Sequence, residues 1–205
     1  MVLAMTPFQE AAPESTDRAM SAVAAVSRRD DVIAIGPVLP EDIAPIFIWL
    51  NDFEAAKGDM AHVPVDGVTF KAWLDRNAQA SFEYLFSIRK LHEPQALGFV
   101  LLKNVSAIHR SAELGVRIGA EAERGRGYGS RAASLILDYA FDTLNLHRVS
   151  LSVFAHNARA IAAYKRAGFC HEGELRQANF IDGAWVNVAI MAALRTERGT
   201  HRRYS

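Results

Sequence analysis

The run Arg124-Gly125-Arg126-Gly127-Tyr128-Gly129-Ser130 has the composition of a site that holds an anion with its main chain. Glycines at 125, 127 and 129 remove Cβ atoms where a charged group would have to approach the backbone closely. If a helix starts near Tyr128, the free N–H groups of its first turn and its dipole favour a phosphate or pyrophosphate there. Arg124 and Arg126 add positive charge. The same glycines would also serve a plain tight connection between a strand and a helix, so the motif has to be read with its surroundings.

Two nucleotide loops compete for this run. Gly127-x-Gly129-x-x-Ala132 fits a degenerate dinucleotide fingerprint, which requires an acid about 20 residues on, at the end of the next strand. That strand, residues 148–154, ends in Ala155-His156-Asn157 and offers no acid. The Walker loop needs a lysine before its hydroxyl residue, and Gly129-Ser130 lacks one.

Other reactive groups are sparse. The single cysteine, Cys170, follows Phe169 directly into a strand and is expected to be a packed thiol rather than a nucleophile. One cysteine also rules out an internal disulfide and a thiolate-rich zinc site, and suits a reducing cytoplasm. The seven histidines make no zinc-protease pattern, so no metal is assigned. The 23 basic and 23 acidic residues cancel, which leaves no global field for nucleic acid or an anionic membrane surface. No run approaches the ~18 apolar residues of a membrane span.

The elements that must position the glycine turn follow from periodicity. Val32, Ile33 and Ile35 make a short strand closed by Pro37, and Ile43, Ile46, Phe47 and Leu50 recur at helical spacing behind Glu41 and Asp42. Residues 51–68 have no clean period, and Phe70, Trp73 and Leu74 mark a short helix ending near Asn77. Alternation from Phe82 to Arg89 and an apolar run over 97–102 predict a hairpin, and residues 113–119 a third strand. Beyond the turn, Ala132, Leu135, Ile136, Tyr139, Ala140 and Leu144 form one helical stripe. A strand over 148–154 and a helix capped by Asn157 and stopped by Gly168 follow, and strand, helix, strand, helix implies a parallel pair. Strands over 170–177 and 184–194 close a last hairpin around Asp182-Gly183. The fold class is α/β, a mixed, twisted, mostly antiparallel sheet flanked by helices. One domain is expected over residues 31–195, with flexible tails at 1–30 and 196–205, and no secretory signal.

In that context the chain resembles the GCN5-related N-acetyltransferase superfamily, whose cofactor loop reads Arg or Gln, x, x, Gly, x, Gly or Ala. Arg124, Gly127 and Gly129 match it. Residues 157–169, with Tyr164 and Gly168-Phe169, look like the family's second motif. Within the superfamily the chain is most similar to the branch with ribosomal-protein N-terminal and spermidine acetyltransferases and some aminoglycoside acetyltransferases. Members there often carry Asp where this chain has Asn187.

The resemblance implies the acyl-CoA N-acyltransferase fold and an N-acetyltransferase that uses acetyl-CoA as co-substrate, without a metal. The acceptor would be a small-molecule amine (a polyamine, aminoglycoside or amino sugar) or a protein N-terminus. A catalytically silent acyl-CoA-binding domain is the alternative. Backbone groups of Val116, Arg117 and Ile118 would pair with the pantetheine amides, and Arg124, Gly125, Arg126, Gly127, Tyr128, Gly129 and Ser130 would hold the pyrophosphate. Asn157 would touch the pantetheine arm, and Tyr164, a core aromatic by periodicity alone, would lie near the sulfur as the acid. Lys165 and Arg166 are a wet helix face or a site for the cofactor's outer phosphate. Glu113, at the start of the strand leading to the loop, is the first choice of base, with Glu172, Glu174 and Asp52 as rivals. Trp49, Asn51, Asp52, Phe180 and Trp185 are expected near the acceptor or in packing and capping roles. The setting is cytoplasmic, and exposed strand edges suit a homodimer.

Overall fold

The computed structural model describes residues 27–52, 64–79 and 82–198. Strands β1 (Arg28–Arg29) and β2 (Ile33–Pro37) precede helices α1 (Ile43–Leu50) and α2 (Gly67–Gln79). Strands β3 (Tyr84–Lys90), β4 (Ala96–Ser106) and β5 (Ser111–Ile118) lead to helix α3 (Tyr128–Asp138), which continues into a π-helical turn at Tyr139–Thr143. Strand β6 (Arg148–Phe154), helix α4 (Ala158–Ala167) and the hairpin β7 (Cys170–Ile181) with β8 (Ala184–Leu194) complete the fold.

All eight strands join one sheet in the order β1-β2-β3-β4-β5-β6-β8-β7. Every neighbouring pair is antiparallel except β5 and β6, which are parallel and joined through α3. This is the mixed, mostly antiparallel sheet that the periodicity predicts. Side chains alternate across it. Val100, Leu102, Leu114 and Val149 pack with Ala132, Leu135 and Ile136 of α3 on one face. Phe99 meets Ile46 of α1 and Phe70 of α2 on the other.

Several boundaries differ from expectation. The first strand lies ahead of Asp31, and α2 begins at Gly67 and runs past Asn77 to Gln79. β7 continues to Ile181 rather than stopping at Gln177. There the register shifts between Leu175 and Asn179, Gln177 adopts φ 50°, and its N–H donates to Asn187 Oδ1 at 2.8 Å. A bulge thus breaks the alternation without ending the strand. Residues 1–26, 53–63 and 199–205, which hold most of the expected tails and irregular segment, lie outside the described residues.

β3 departs from its predicted half-exposed alternation, because Phe86, Ser87, Ile88 and Arg89 are all buried. The polar pair is inside because it meets Asp42, itself 1% exposed. Asp42 Oδ2 accepts from Ser87 Oγ at 2.7 Å, from the Leu39 N–H at 2.8 Å and from the Arg89 guanidinium. Arg89 Nε also donates to the Pro94 carbonyl at 3.1 Å. A buried charge with its partners supplied fixes the start of α1 against β3, and removing one member leaves the other uncompensated. Asp42→Ala is therefore expected to cost about 3–5 kcal/mol in urea unfolding. A loss under about 1 kcal/mol would show that the charges are not buried together as described.

Candidate functional site

The parallel pair is joined only at its beginning. Ser111 pairs with Arg148, Ala112 with Val149 and Glu113 with Ser150, and among the described residues the ladder goes no further. β5 nevertheless stays paired to β4 as far as Ile118, and β6 to β8 as far as Phe154. The two halves of the sheet therefore part after Glu113. Contacts at the far tip hold β5 in place: Arg117 is 6% exposed and donates through Nη1 to the Trp49 carbonyl at 2.6 Å. A Cβ at Gly119 would lie 2.0 Å from the Trp49 ring, and one at Gly98 would lie 2.2 Å from the Arg117 carbonyl. Both glycines permit close approach that no larger residue allows.

Two cavities flank the parting. One, of about 310 Å³, lies between Val116–Ile118, the loop before α3, and α4. The other, of about 260 Å³, lies over β4, β5 and β6 and reaches Leu50 and Trp73. Val116, Arg117 and Tyr164 border both.

The loop has the conformation its glycines allow. Gly125 and Gly127 have φ 82° and 86°, in the left-handed region, and Gly127 caps α3 without a side chain. The first helical bond is Arg131 N–H to the Gly127 carbonyl at 3.2 Å, so the amides of Tyr128, Gly129 and Ser130 have no acceptor within the helix. Arg124, Gly125, Gly127, Gly129 and Ser130 line the first cavity.

Two predicted members do not. Arg126 is exposed and reaches back to Glu123 at 3.7 Å, and the Tyr128 ring packs against the main core. Arg124 closes the loop, donating through Nε to the Ile118 carbonyl at 3.1 Å and through Nη2 to the Gly119 carbonyl at 2.8 Å and Asp52 at 3.2 Å. The Ser130 hydroxyl donates to the Ala163 carbonyl at 2.9 Å and ties α3 to α4, leaving its amide for the helix mouth.

α4 supplies the opposite wall. Asn157 caps it, accepting from the Ala160 N–H at 3.0 Å, and also lines the first cavity. Arg159 and Arg166 line the same cavity, whereas Lys165 is exposed and off the lining. Arg159 belongs to no motif of its own, although its spacing of seven from Arg166 puts both on one helix face. Tyr164 is half-buried with its ring edge-on to Phe169, centroids 5.9 Å apart.

In the second cavity Glu113 is the one carboxylate among the described lining residues. Lys103 Nζ lies 2.9 Å from its Oε1, and Asn104 Nδ2 donates to Oε2 at 3.2 Å. The rival bases are engaged elsewhere: Asp52 by Arg124, Glu172 by Arg148 at 2.6 Å, and Glu174 by Asn187 at 2.6 Å. Trp49, Asn51, Asp52, Phe180 and Trp185 are off this lining, and Leu50, Trp73 and Asn179 are on it. The elements are the expected ones in the wrong phase. Trp49 is taken up by Gly119, and Asn51 bonds to Phe47 and Val65. The bulge in β7 turns Asn179 inward and leaves Phe180 and Trp185 exposed, their rings in tilted contact with centroids 5.2 Å apart. Cys170 is exposed rather than packed, because it opens the edge strand of the sheet.

The family model of the acetyltransferase (GNAT) domain matches residues 33–170. The chain belongs to that family. Among its GNAT relatives, the spermidine N(1)-acetyltransferase of Vibrio cholerae is 37% identical over 101 residues, 49% of this chain and 58% of that protein. That of Escherichia coli K12 is 40% identical over 94 residues, 46% of this chain and 50% of that protein. A putative ribosomal N-acetyltransferase of Bacillus subtilis is 30% identical over 107 residues, 52% of this chain and 58% of that protein. The chain thus spans about half the length of these curated relatives. The crystal structure of spermidine N-acetyltransferase from Vibrio cholerae in complex with CoA and spermine superposes with a TM-score of 0.76 at 25% identity, covering 82% of this chain and 98% of that one.

One ion pair steadies the GNAT loop from below. Lys90 Nζ bonds Glu123 Oε1 at 2.6 Å, and this bond holds the Glu123 carboxyl below the ordinary glutamate range and raises the Lys90 ammonium. A depressed carboxyl contributes stability above its unfolded value and loses it as pH falls through the folded one. Wild type and Lys90→Met should accordingly differ in melting temperature near pH 6 and converge below about pH 4. An offset that persists unchanged into acid would disprove the coupling.

Proposed function

We propose that this chain transfers the acetyl group of acetyl-CoA directly to a primary amine, within a single catalytic domain over residues 31–195. The observation that carries the reading is the parting of β5 from β6 beside the bare mouth of α3, with Tyr164 where the two cavities meet. An added peptide-like strand fits the open edge of β5, and the pantetheine amides have that character. The amides of Tyr128, Gly129 and Ser130 suit the pyrophosphate, and Arg159 and Arg166 suit the outer phosphate. Asn157 lines the same cavity and suits the pantetheine arm between them.

An alkyl amine has a pKa near ~10.4 and must lose a proton before its nitrogen can attack the thioester carbon. In this reading Glu113, directly or through water, takes it once the amine displaces Lys103 from the pair, and then releases it to solvent. As the new C–N bond forms and the C–S bond breaks, the attacking nitrogen gives up its second proton to solvent, while Tyr164 donates its phenolic proton to the departing sulfur and recovers one from solvent. Main-chain N–H groups of β5 polarise the thioester carbonyl. The reading includes a small-molecule amine or a protein N-terminus as acceptor, a second copy of the chain as macromolecular partner, and a cytoplasmic setting.

Tyr164→Phe should lower kcat for thiol release about 100-fold while leaving CoA affinity within about threefold. Thiol release at the wild-type rate, followed alongside calorimetric CoA binding, would remove Tyr164 from the acid role.

A further inference from the structure

One residue lining the second cavity has no side chain. β4 and β5 pair Phe99 with Arg117, Leu101 with Gly115 and Lys103 with Glu113, and directly opposed residues point to the same face. In this row of rungs Gly115 alone presents no side chain. Neither crowding nor backbone requires glycine there: a Cβ would lie 4.0 Å from its nearest neighbour, Leu101 Cβ, and Gly115 is not among the residues with positive φ. Gly98 and Gly119 differ, since a Cβ at either would collide with neighbouring atoms. The bareness of Gly115 leaves the floor of the slot open.

The walls over that floor are apolar, formed by Leu50, Trp73, Leu101, Phe154 and Val188. Charges among the described lining residues are Lys103, Arg117 and Glu113, so cations outnumber carboxylates. Glu113 already faces Lys103, and Arg117 is bound to the Trp49 carbonyl. A polyamine that presents one neutral amine to the thioester still carries at least one ammonium. Among the described lining residues no second carboxylate is present to meet that ammonium, and burying one unpaired is costly, whereas an apolar body gains from contact with these walls.

We propose that the acceptor is a single primary amine borne on an apolar body, and that Gly115 sets the size of that body. The inference rests on the acetyltransferase reading above and separates this chain from relatives named for spermidine. A free arylalkylamine and the N-terminal residue of a peptide beginning with Phe share this chemistry.

The test uses the full chain and three amines: phenethylamine, a short peptide with N-terminal Phe, and spermidine. Each is measured for kcat/KM with acetyl-CoA and, by calorimetry in the presence of CoA, for binding. The wild type should favour an apolar amine over spermidine by at least about tenfold, and Gly115→Leu should reverse about tenfold of that advantage through KM, with CoA affinity unchanged. Gly115→Ala, for which there is room, should show a smaller loss in the same direction and serves if the leucine variant does not fold. Turnover of phenethylamine alone, or of the peptide alone, upholds the slot and names its source. Preference for spermidine, or apolar-amine kinetics unmoved by both substitutions, overturns the inference and leaves acetyl transfer standing. If CoA binds but no amine releases thiol, acetyl transfer fails instead, and calorimetry still decides the slot. Apolar-amine binding that weakens in the order wild type, alanine, leucine supports it, and binding of spermidine alone refutes it.

Discussion

The site depends on β5 and β6 remaining apart after Glu113. A parallel pair left to itself would continue its ladder, because each further rung satisfies two strands' backbone groups. Here each strand is claimed on its other side: β5 by β4 and by the Trp49, Gly119 and Arg117 contacts, β6 by β8 along its whole length. The opening is therefore a property of the sheet's pairing. Whatever fills it meets main chain along β5 and side chains of α4 across the gap.

Electrostatics at the loop follow a related logic. Of the arginines nearest the α3 mouth, Arg124 is bonded to two carbonyls and Asp52, Arg126 leans toward Glu123, and Arg131 pairs with Asp30 and Asp31. Each is thus engaged by protein groups, and Arg124 closes the turn. On the reading proposed above, the attraction for an anion would fall on the amides of the α3 mouth and on Arg159 and Arg166 from α4, which line the same cavity.

Much of this was legible in the residues. Glycines at 125, 127 and 129, Asn157 as a cap and Gly168 as a stop each have a local physical meaning, and local rules survive folding. The order of elements followed from their periods, and the parallel pair from that order. What escaped was set by long-range contact. Ser87 and Arg89 read as an exposed stripe because nothing local announces that Asp42, some 45 residues earlier, will bury them. The acceptor wall was read one residue out of phase at Leu50 and at Asn179, in the second case because a bulge carries no sequence signature of its own. The partnership of Lys103 with Glu113 arises from strand register, which periodicity constrains to a face but not to a rung.

The Ser130 hydroxyl bond to the Ala163 carbonyl has a geometric corollary. Ala163 is the residue before Tyr164, so the amide that would seat a diphosphate and the phenol that would meet the sulfur are linked by a short relay of covalent bonds and one hydrogen bond. The reach from the diphosphate seat to the sulfur would then be set by the spacing of α3 and α4 together with the rotamers of Ser130 and Tyr164. Substitutions in the second cavity at residues other than the shared Val116, Arg117 and Tyr164 would leave that spacing untouched.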